Sequence, residues 1–361
     1  MRLPPIDMKI LYVAYPLVKL GPDSCGGAEQ MLHVVEEGIA SRGHETVTVA
    51  CAGSRVAGSM VPTGVPEPGV DAFAEVDVVH NTRVLETLRV ARDSGHPFDL
   101  VHDKGGSFWT LADAVPEPVL LTAHLGREFY GDALRSTPPN LFVNCVSNAQ
   151  RSTFDDVACA IGAVPNGIAI RRFPFRESKD DYLLWLGRIC EEKGAHVAIE
   201  VGRRLGMRVV IAGDIYSFSY HQQYFEREIL PHLGHGSVQL FLRPSFETKA
   251  KLLAGARAVL IPSLVDETSS LVAMEAAACG TPVIAFRRGA LPEVIEDGRT
   301  GLLVDGADQM AQAVSRVEEI SSYACRHRAE QMFNSEQMIT QYEALYWRVR
   351  HLHEHQSVLA A

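Results

Sequence analysis

This sequence predicts two α/β domains, each a parallel sheet wound with crossover helices, and three observations carry the prediction. Apolar strand-like runs alternate with amphipathic stretches along the chain, the pattern of repeated βα units. A length of 361 residues is enough for about two ordinary domains, each with its own core. The apolar pattern breaks at residues 166–179, where Arg171, Arg172, Phe173, Pro174 and charged residues replace it, and then restarts.

In the first half, residues 8–15 form an apolar strand, residues 16–27 a loop carrying glycine and proline, and residues 28–42 an amphipathic helix ended by Gly43. Further strands are expected at 46–50, 76–80, 100–102, 119–122 and 141–147, with a Gly/Pro/Ser-rich connector over 52–70. In the second half, strands are expected at 182–186, 208–212, 239–242, 258–261 and 283–285. Helices are expected at 195–205, 219–230, 246–254 and from about 270 to Gly280. Residues 335–351 read as a long helix capped by Ser335, with Glu336 in its first turn. The domains expected are 1–167 and 178–330, followed by a helical segment at 331–361.

Hydrophobic content of 47% with 22% charged residues is that of a soluble globular protein. A formal charge of −10 disfavours nucleic acid or an anionic membrane as the partner. Seven cysteines, scattered singly, suggest reduced thiols in a cytoplasmic protein. No apolar run is long enough to span a membrane, although peripheral membrane contact stays open. Residues 1–7 are too short and polar for a signal peptide and read as a disordered lead-in.

The chemistry concentrates between Pro262 and Ala285. A strand feeds a Pro-Ser turn, a polar cluster opens a helix, and Gly280 ends it. Ser269 or Ser270 can cap that helix, leaving the N–H groups of Leu271 and Val272 aimed at a ligand. An anion there gains roughly 0.3–2 kcal/mol from the helix dipole. Glu267 in the loop and Glu275 on the helix can flank one ligand, one facing a polyol and the other a second diol. Two solvated glutamates on a strand–turn–helix unit are the plainer alternative.

The spacing Glu267-x7-Glu275 resembles the signature of the family 4 retaining glycosyltransferases. The resemblance extends through Leu186-Gly187-Arg188, Glu192-Lys193-Gly194 and Val210-Ile211-Ala212-Gly213-Asp214 upstream. Downstream it covers residues 287–295 and 297–301, and it is weaker at Gly26-Gly27-Ala28-Glu29 and 164–168. It implies the GT-B fold of two facing Rossmann-like domains, with a C-terminal helix crossing back to the first. It also implies sugar transfer from a UDP- or GDP-sugar to a hydroxyl on a sugar, lipid or small metabolite, with retention at the anomeric carbon.

On that reading Glu267 contacts sugar hydroxyls near the reacting carbon, Glu275 contacts the ribose, and His124, at a strand end, faces the transferred sugar. Arg188 and Lys193 would hold the leaving phosphate, the arginine through its fork and the lysine as a point charge. Glu191 and Glu192 could instead neutralise both. Gly26, Gly27, Gly187 and Gly213 would let the backbone approach the donor. His102 and Asp103 are second choices. No two aspartates are separated by one residue, so no metal or other cofactor is expected at the diphosphate.

Two features depart from the family. Thr268-Ser269-Ser270 replaces an aromatic residue and glycine, and Arg243-Pro244 stands where a small residue often lies near the base. A sugar phosphorylase or nucleotide-sugar epimerase on the same scaffold, and a two-domain sugar-binding protein without catalysis, remain as rival readings.

Overall fold

The computed structural model describes residues 7–22, 24, 26–65, 73–234 and 236–360. It divides into two compact units, Met1–Pro165 with Glu336–Ala361, and Asn166–Ser335. The lead-in at 1–6, Cys25 and connector residues 66–70 lie outside the described residues.

The first unit contains β1 (Lys9–Val13), α1 (Gly27–Ser41), β2 (Glu45–Cys51), β3 (Ser59–Thr63), α2 (Phe73–Asp93), β4 (Leu100–Asp103), β5 (Val119–Thr122), β6 (Leu141–Cys145), α3 (Asn148–Ser152) and β7 (Ala160–Ala163). The strands are all parallel, in the order β3-β2-β1-β4-β5-β6-β7. Strands β4, β5 and β6 are buried at every residue, because helices cover both faces of a parallel sheet. That is why they read as continuous apolar runs.

One expected element is wrong. Residues 76–80 are not a strand but part of α2. Its buried residues are His80, Asn81, Val84, Leu88 and Ala91, a helical spacing, while Val78 and Val79 are exposed. Helical periodicity across the segment outweighs a local β-propensity worth at most ~1 kcal/mol. One strand not expected is β3, inside the stretch read as a connector. Pro62 disguises it, yet β3 is the edge strand, where a proline is tolerated. Thr63 Oγ1 and His80 Nδ1, 2.9 Å apart, tie β3 to α2.

The second unit contains β8 (Tyr182–Arg188), α4 (Ala195–Leu205), β9 (Arg208–Asp214), α5 (Ser219–Tyr224), β10 (Val238–Leu242), α6 (Phe246–Gly255), β11 (Ala258–Ile261), α7 (Leu271–Ala278), β12 (Val283–Phe286), α8 (Leu291–Val294), β13 (Gly301–Val304), α9 (Ala307–Ala313) and α10 (Ser322–Met332). Helix α5 runs on through a π turn, Phe225–Ile229. The strands lie parallel in the order β10-β9-β8-β11-β12-β13. The strand order reverses between β8 and β11, so the connections leave their carboxyl ends in opposite directions and open a crevice there.

The last helix, α11 (Ser335–Ala360), falls in the first unit from Glu336 onwards. Arg42 Nη1 lies 2.5 Å from Glu343 Oε2. Beneath, Tyr346 Oη lies 2.8 Å from His102 Nδ1 and 3.1 Å from Tyr12 Oη, and His102 Nε2 lies 2.7 Å from Thr122 Oγ1. Both nitrogens of His102 are therefore engaged, Nδ1 with Tyr346 of α11 and Nε2 with Thr122 of the neighbouring strand β5. Asp103 accepts hydrogen bonds from the N–H groups of Gly106 and Trp109 at 2.8 and 2.9 Å, and so organises the turn after β4. Burial pushes its carboxyl up to about 6, against these N–H groups, which favour the charged form. Lys104 Nζ donates to Tyr342 Oη at 3.5 Å and lies 4.6 Å from the centre of that ring.

Burial pulls the Lys104 ammonium down from 10.5 to about 7. Between those values the unfolded chain holds a proton that the folded chain has lost, so this group makes stability rise with pH, by up to ~1.4 kcal/mol per unit. Lys104→Met should therefore raise stability most at pH 7 and below, with an advantage that shrinks towards pH 8.5. Urea unfolding of both proteins across that range checks it. An advantage that does not change with pH would mean Lys104 keeps its proton in the fold.

Candidate functional site

Arg188 is the last residue of β8, and register places Gly187 beside Gly213 and Arg188 beside Asp214 of β9. A Cβ on Gly213 would collide with the Gly187 carbonyl oxygen. A helical turn, Glu191–Lys193, follows β8 and ends on Gly194, at φ 69°. A Cβ on Gly194 would run into the Pro262 carbonyl oxygen. Leu264 N–H donates to the Glu192 carbonyl at 2.8 Å, and Trp185 Nε1 donates to the Lys193 carbonyl at 3.0 Å. The loop after β8 is thereby pinned to the loop after β11, across the reversal in strand order.

Lys193 and Glu267 meet there. Lys193 Nζ lies 2.6 and 2.7 Å from the two carboxylate oxygens of Glu267, and Ser263 Oγ donates to Oε1 of the same group. The carboxylate side chain is only 11% exposed, so its position is set by protein groups rather than by water. Its backbone is held too. Ala290 N–H donates to the Glu267 carbonyl at 2.7 Å, and a Cβ on Gly289, at φ 53°, would strike the Glu267 backbone. This gives a physical reason for the glycine in Arg287-Arg288-Gly289-Ala290, which sequence reading had only as part of a resemblance.

Arg188 donates from Nη2 to Glu192 Oε1 at 3.2 Å, while its buried Nε has no partner among the described residues. Helix α7 is capped by Ser270, whose side chain accepts from Ala273 N–H at 3.3 Å; Ser269 is half-buried beside it. No hydrogen bond among the described residues ends on the N–H groups of Leu271 and Val272. Two cations, a carboxylate and an open helix N-terminus thus share one end of this sheet.

Two predicted ligands already have protein partners. Glu275 is 3% exposed, and its Oε1 lies 2.6 Å from Lys249 Nζ. Lys249, on α6, also lies 5.3 and 5.8 Å from the ring centres of Phe246 and Phe173. Sequence reading missed Lys249 because lysine on an amphipathic helix reads as solvated surface. Arg243, just past β10, is the one non-glycine with positive φ (49°) among the described residues. Its Nε donates to Asp214 Oδ1 at 2.8 Å.

Gly26, Gly27 and His124 belong to the first unit. Gly26 is the N-cap of α1, with extended backbone and no side-chain cap, and Gly27 opens the helix. His124 follows β5 and is half-buried. Its N–H and that of Leu125 both donate to Tyr130 Oη, at 3.0 and 3.3 Å. Burial, then the nearby Lys104 charge, holds its imidazole well below the usual range.

Residues 168–333 match the family described as Glycosyl transferases group 1. Among curated relatives, the D-inositol 3-phosphate glycosyltransferase of Corynebacterium jeikeium (strain K411) is 29% identical over 270 residues, covering 61% of this chain and 64% of that protein. The enzyme of the same name from Mycolicibacterium smegmatis is 32% identical over 196 residues, covering 51% and 45%. The chain thus spans less than two thirds of these relatives. Sucrose-phosphate synthase from Thermosynechococcus elongatus superposes with a TM-score of 0.77 at 20% identity, over 95% of this chain and 99% of that one. Anabaena HepE, solved with UDP-glucose, gives 0.71 at 17% identity, over 94% and 99%. The fold is GT-B. Arg188, Lys193, Glu267 and Glu275 all lie within the matched residues.

Lys249→Met should leave the buried Glu275 carboxylate without its counter-charge and destabilise the second unit by about 3–5 kcal/mol. Adding Glu275→Gln to that variant should recover most of the loss. Denaturant unfolding of both single variants and the double reads the coupling, and strictly additive losses would mean the pair is not coupled.

Proposed function

We propose that this protein transfers a sugar from a nucleoside diphosphate donor to a hydroxyl acceptor, with retention at the anomeric carbon and with no divalent metal at the diphosphate. One observation carries the reading: Lys193 and Glu267 are clamped together at the β8–β11 reversal, beside Arg188 and the open N-terminus of α7. The relatives' names support glycosyl transfer, and the UDP-glucose held by Anabaena HepE supports a nucleotide-sugar donor.

Departure of the diphosphate puts negative charge on the leaving oxygen, where preorganised cations and N–H groups stabilise a transition state most. Lys193 spends two of its three donors on Glu267, leaving one for phosphate. Among the described residues Arg188 Nε has no partner, and the N–H groups of Leu271 and Val272 extend the same anion site. Glu267, held by Lys193 and Ser263, presents carboxylate charge towards the carbon that becomes positive. The bond from that carbon to the phosphate oxygen breaks, and the acceptor oxygen bonds to it on the same face. The acceptor proton passes to the leaving phosphate, so no nucleophile from the protein is required.

Glu275 and Lys249 together shape the ribose side, and His124 serves the sugar. Gly26, Gly27, Gly187 and Gly213 give close backbone approach, with Ser269 and Ser270 shaping the turn. Arg243 sits where the base would be read. The donor base and sugar follow from a screen of UDP-, GDP- and ADP-sugars, and D-inositol 3-phosphate is one arm of the acceptor screen.

The direct test is nucleoside diphosphate binding and release. UDP, GDP or ADP at about 100-fold its Kd should stabilise the protein by ~2.7 kcal/mol with chelator present, and donor sugar should yield diphosphate only when acceptor is added. If no nucleotide stabilises the chain, or chelator abolishes the increment, the phosphate site is misassigned. Release of no diphosphate from any donor would leave a binding protein.

The two glutamates should separate kinetically. Glu267→Gln should lower kcat by roughly 10², because its charge matters most in the transition state. Glu275→Gln should chiefly raise KM, as loss of uniform binding does. Steady-state rates at saturating donor decide, and full kcat in Glu267→Gln would remove it from the reacting centre.

A further inference from the structure

Beside the phosphate loop, and with no part in the proposed transfer, lies a cluster of a different chemical kind. Cys190, Glu192 and His221 offer ligand atoms that all fall within 4.8 Å of one another. Cys190 and His221 are fully buried, and Glu192 is half-buried. His221 sits on α5, packed among the rings of Tyr216, Phe218 and Tyr220. Neither nitrogen of this buried ring has a hydrogen-bond partner among the described residues. A buried imidazole with both nitrogens idle is rare, because each buried polar atom left unpaired opposes folding. Something is expected to satisfy it.

We infer that Cys190, Glu192 and His221 form a binding site for a borderline-soft divalent cation such as Zn²⁺, linking the phosphate loop to α5.

The donor set selects the metal. A thiolate, an imidazole and a carboxylate suit zinc or cobalt, whereas Mg²⁺ takes oxygen ligands alone. Tetrahedral zinc holds its ligand atoms about 3.5 Å apart. Glu192, on a short turn and partly exposed, can rotate its carboxylate towards such a centre. Charge is balanced as well: thiolate and carboxylate together cancel the dication, so the neighbouring Arg188 guanidinium does not oppose it. Burial raises the Cys190 thiol to about 11, so the bond from sulfur to metal forms as that thiol gives its proton to solvent. Glu192 now accepts from Arg188, and ligation would draw its carboxylate away from the guanidinium. Three protein ligands leave a fourth position for water.

Cobalt(II) reports this site without nucleotide, donor or turnover, so its result is independent of the transferase reading. The full chain, stripped with chelator and kept reduced, is titrated anaerobically with Co²⁺. A single cobalt ion per chain should bind, with thiolate-to-cobalt charge-transfer absorption and strong visible bands of a tetrahedral centre, and Zn²⁺ should displace it. Cys190→Ser should abolish the charge-transfer absorption, and His221→Gln should weaken binding by roughly tenfold or more. Should either buried variant fold poorly by circular dichroism, Glu192→Gln, at a partly exposed position, keeps the test open. It should retain the charge-transfer absorption but weaken cobalt binding by roughly tenfold. Absence of charge-transfer absorption in the wild type overturns the proposal, as does its survival in folded Cys190→Ser or unchanged affinity in Glu192→Gln.

Discussion

The contact between Lys193 and Glu267 closes the gap left where the second sheet reverses its strand order. Parallel strands cannot turn back on themselves, so each carboxyl end must hand over to a loop and a helix. At the β8–β11 reversal the two loops leave in opposite directions. Hydrogen bonds, an ion pair and Gly194, which has no room for a Cβ, then tie them together. The pair is partly buried and doubly hydrogen-bonded, so it is more than a screened surface bridge. Ser263, Gly289 and Ala290 serve the same contact by fixing the carboxylate and its backbone.

Around that contact the domain carries unusual polar burial. Lys249 with Glu275 is a paired charge beneath α7, while His221 is a buried ring with idle nitrogens, next to a thiol. The first unit has its own example in His102, Tyr12, Tyr346, Tyr342 and Lys104, where α11 meets the sheet. Such groups weaken a fold unless partnered. The three arrangements differ in how that demand is met. Lys249 finds a carboxylate, His102 finds hydroxyls on both sides, and His221 finds no partner within the described chain.

Much of the alternation of strands and helices was legible, because parallel strands covered on both faces appear as uninterrupted apolar runs. Strands at 119–122 and 258–261 and the helix at 195–205 emerge with the bounds expected. The failure at 76–80 came from weighing β-branched valines over the spacing of His80, Asn81, Val84, Leu88 and Ala91. The edge strand β3 was hidden by Pro62, and the small residues of β7 gave no apolar run to detect. At the site, Glu267, Arg188, Lys193 and the cap at Ser270 could be nominated from order and spacing. Their partners could not.

What the sequence alone determined was the local and periodic part of the protein: two α/β halves, the break near residue 166, a helix opening at Ser270, and the residue types able to handle a phosphate. These depend on interactions between residues a few positions apart, which a linear pattern records. Tertiary structure decided which charges face one another. Lys193 is 74 residues from Glu267, Lys249 is 26 from Glu275, and His102 is 244 from Tyr346. No sequence period links such positions. They meet because strand order and helix packing bring them together, and burial then makes each pairing consequential by removing the water that would otherwise solvate either partner.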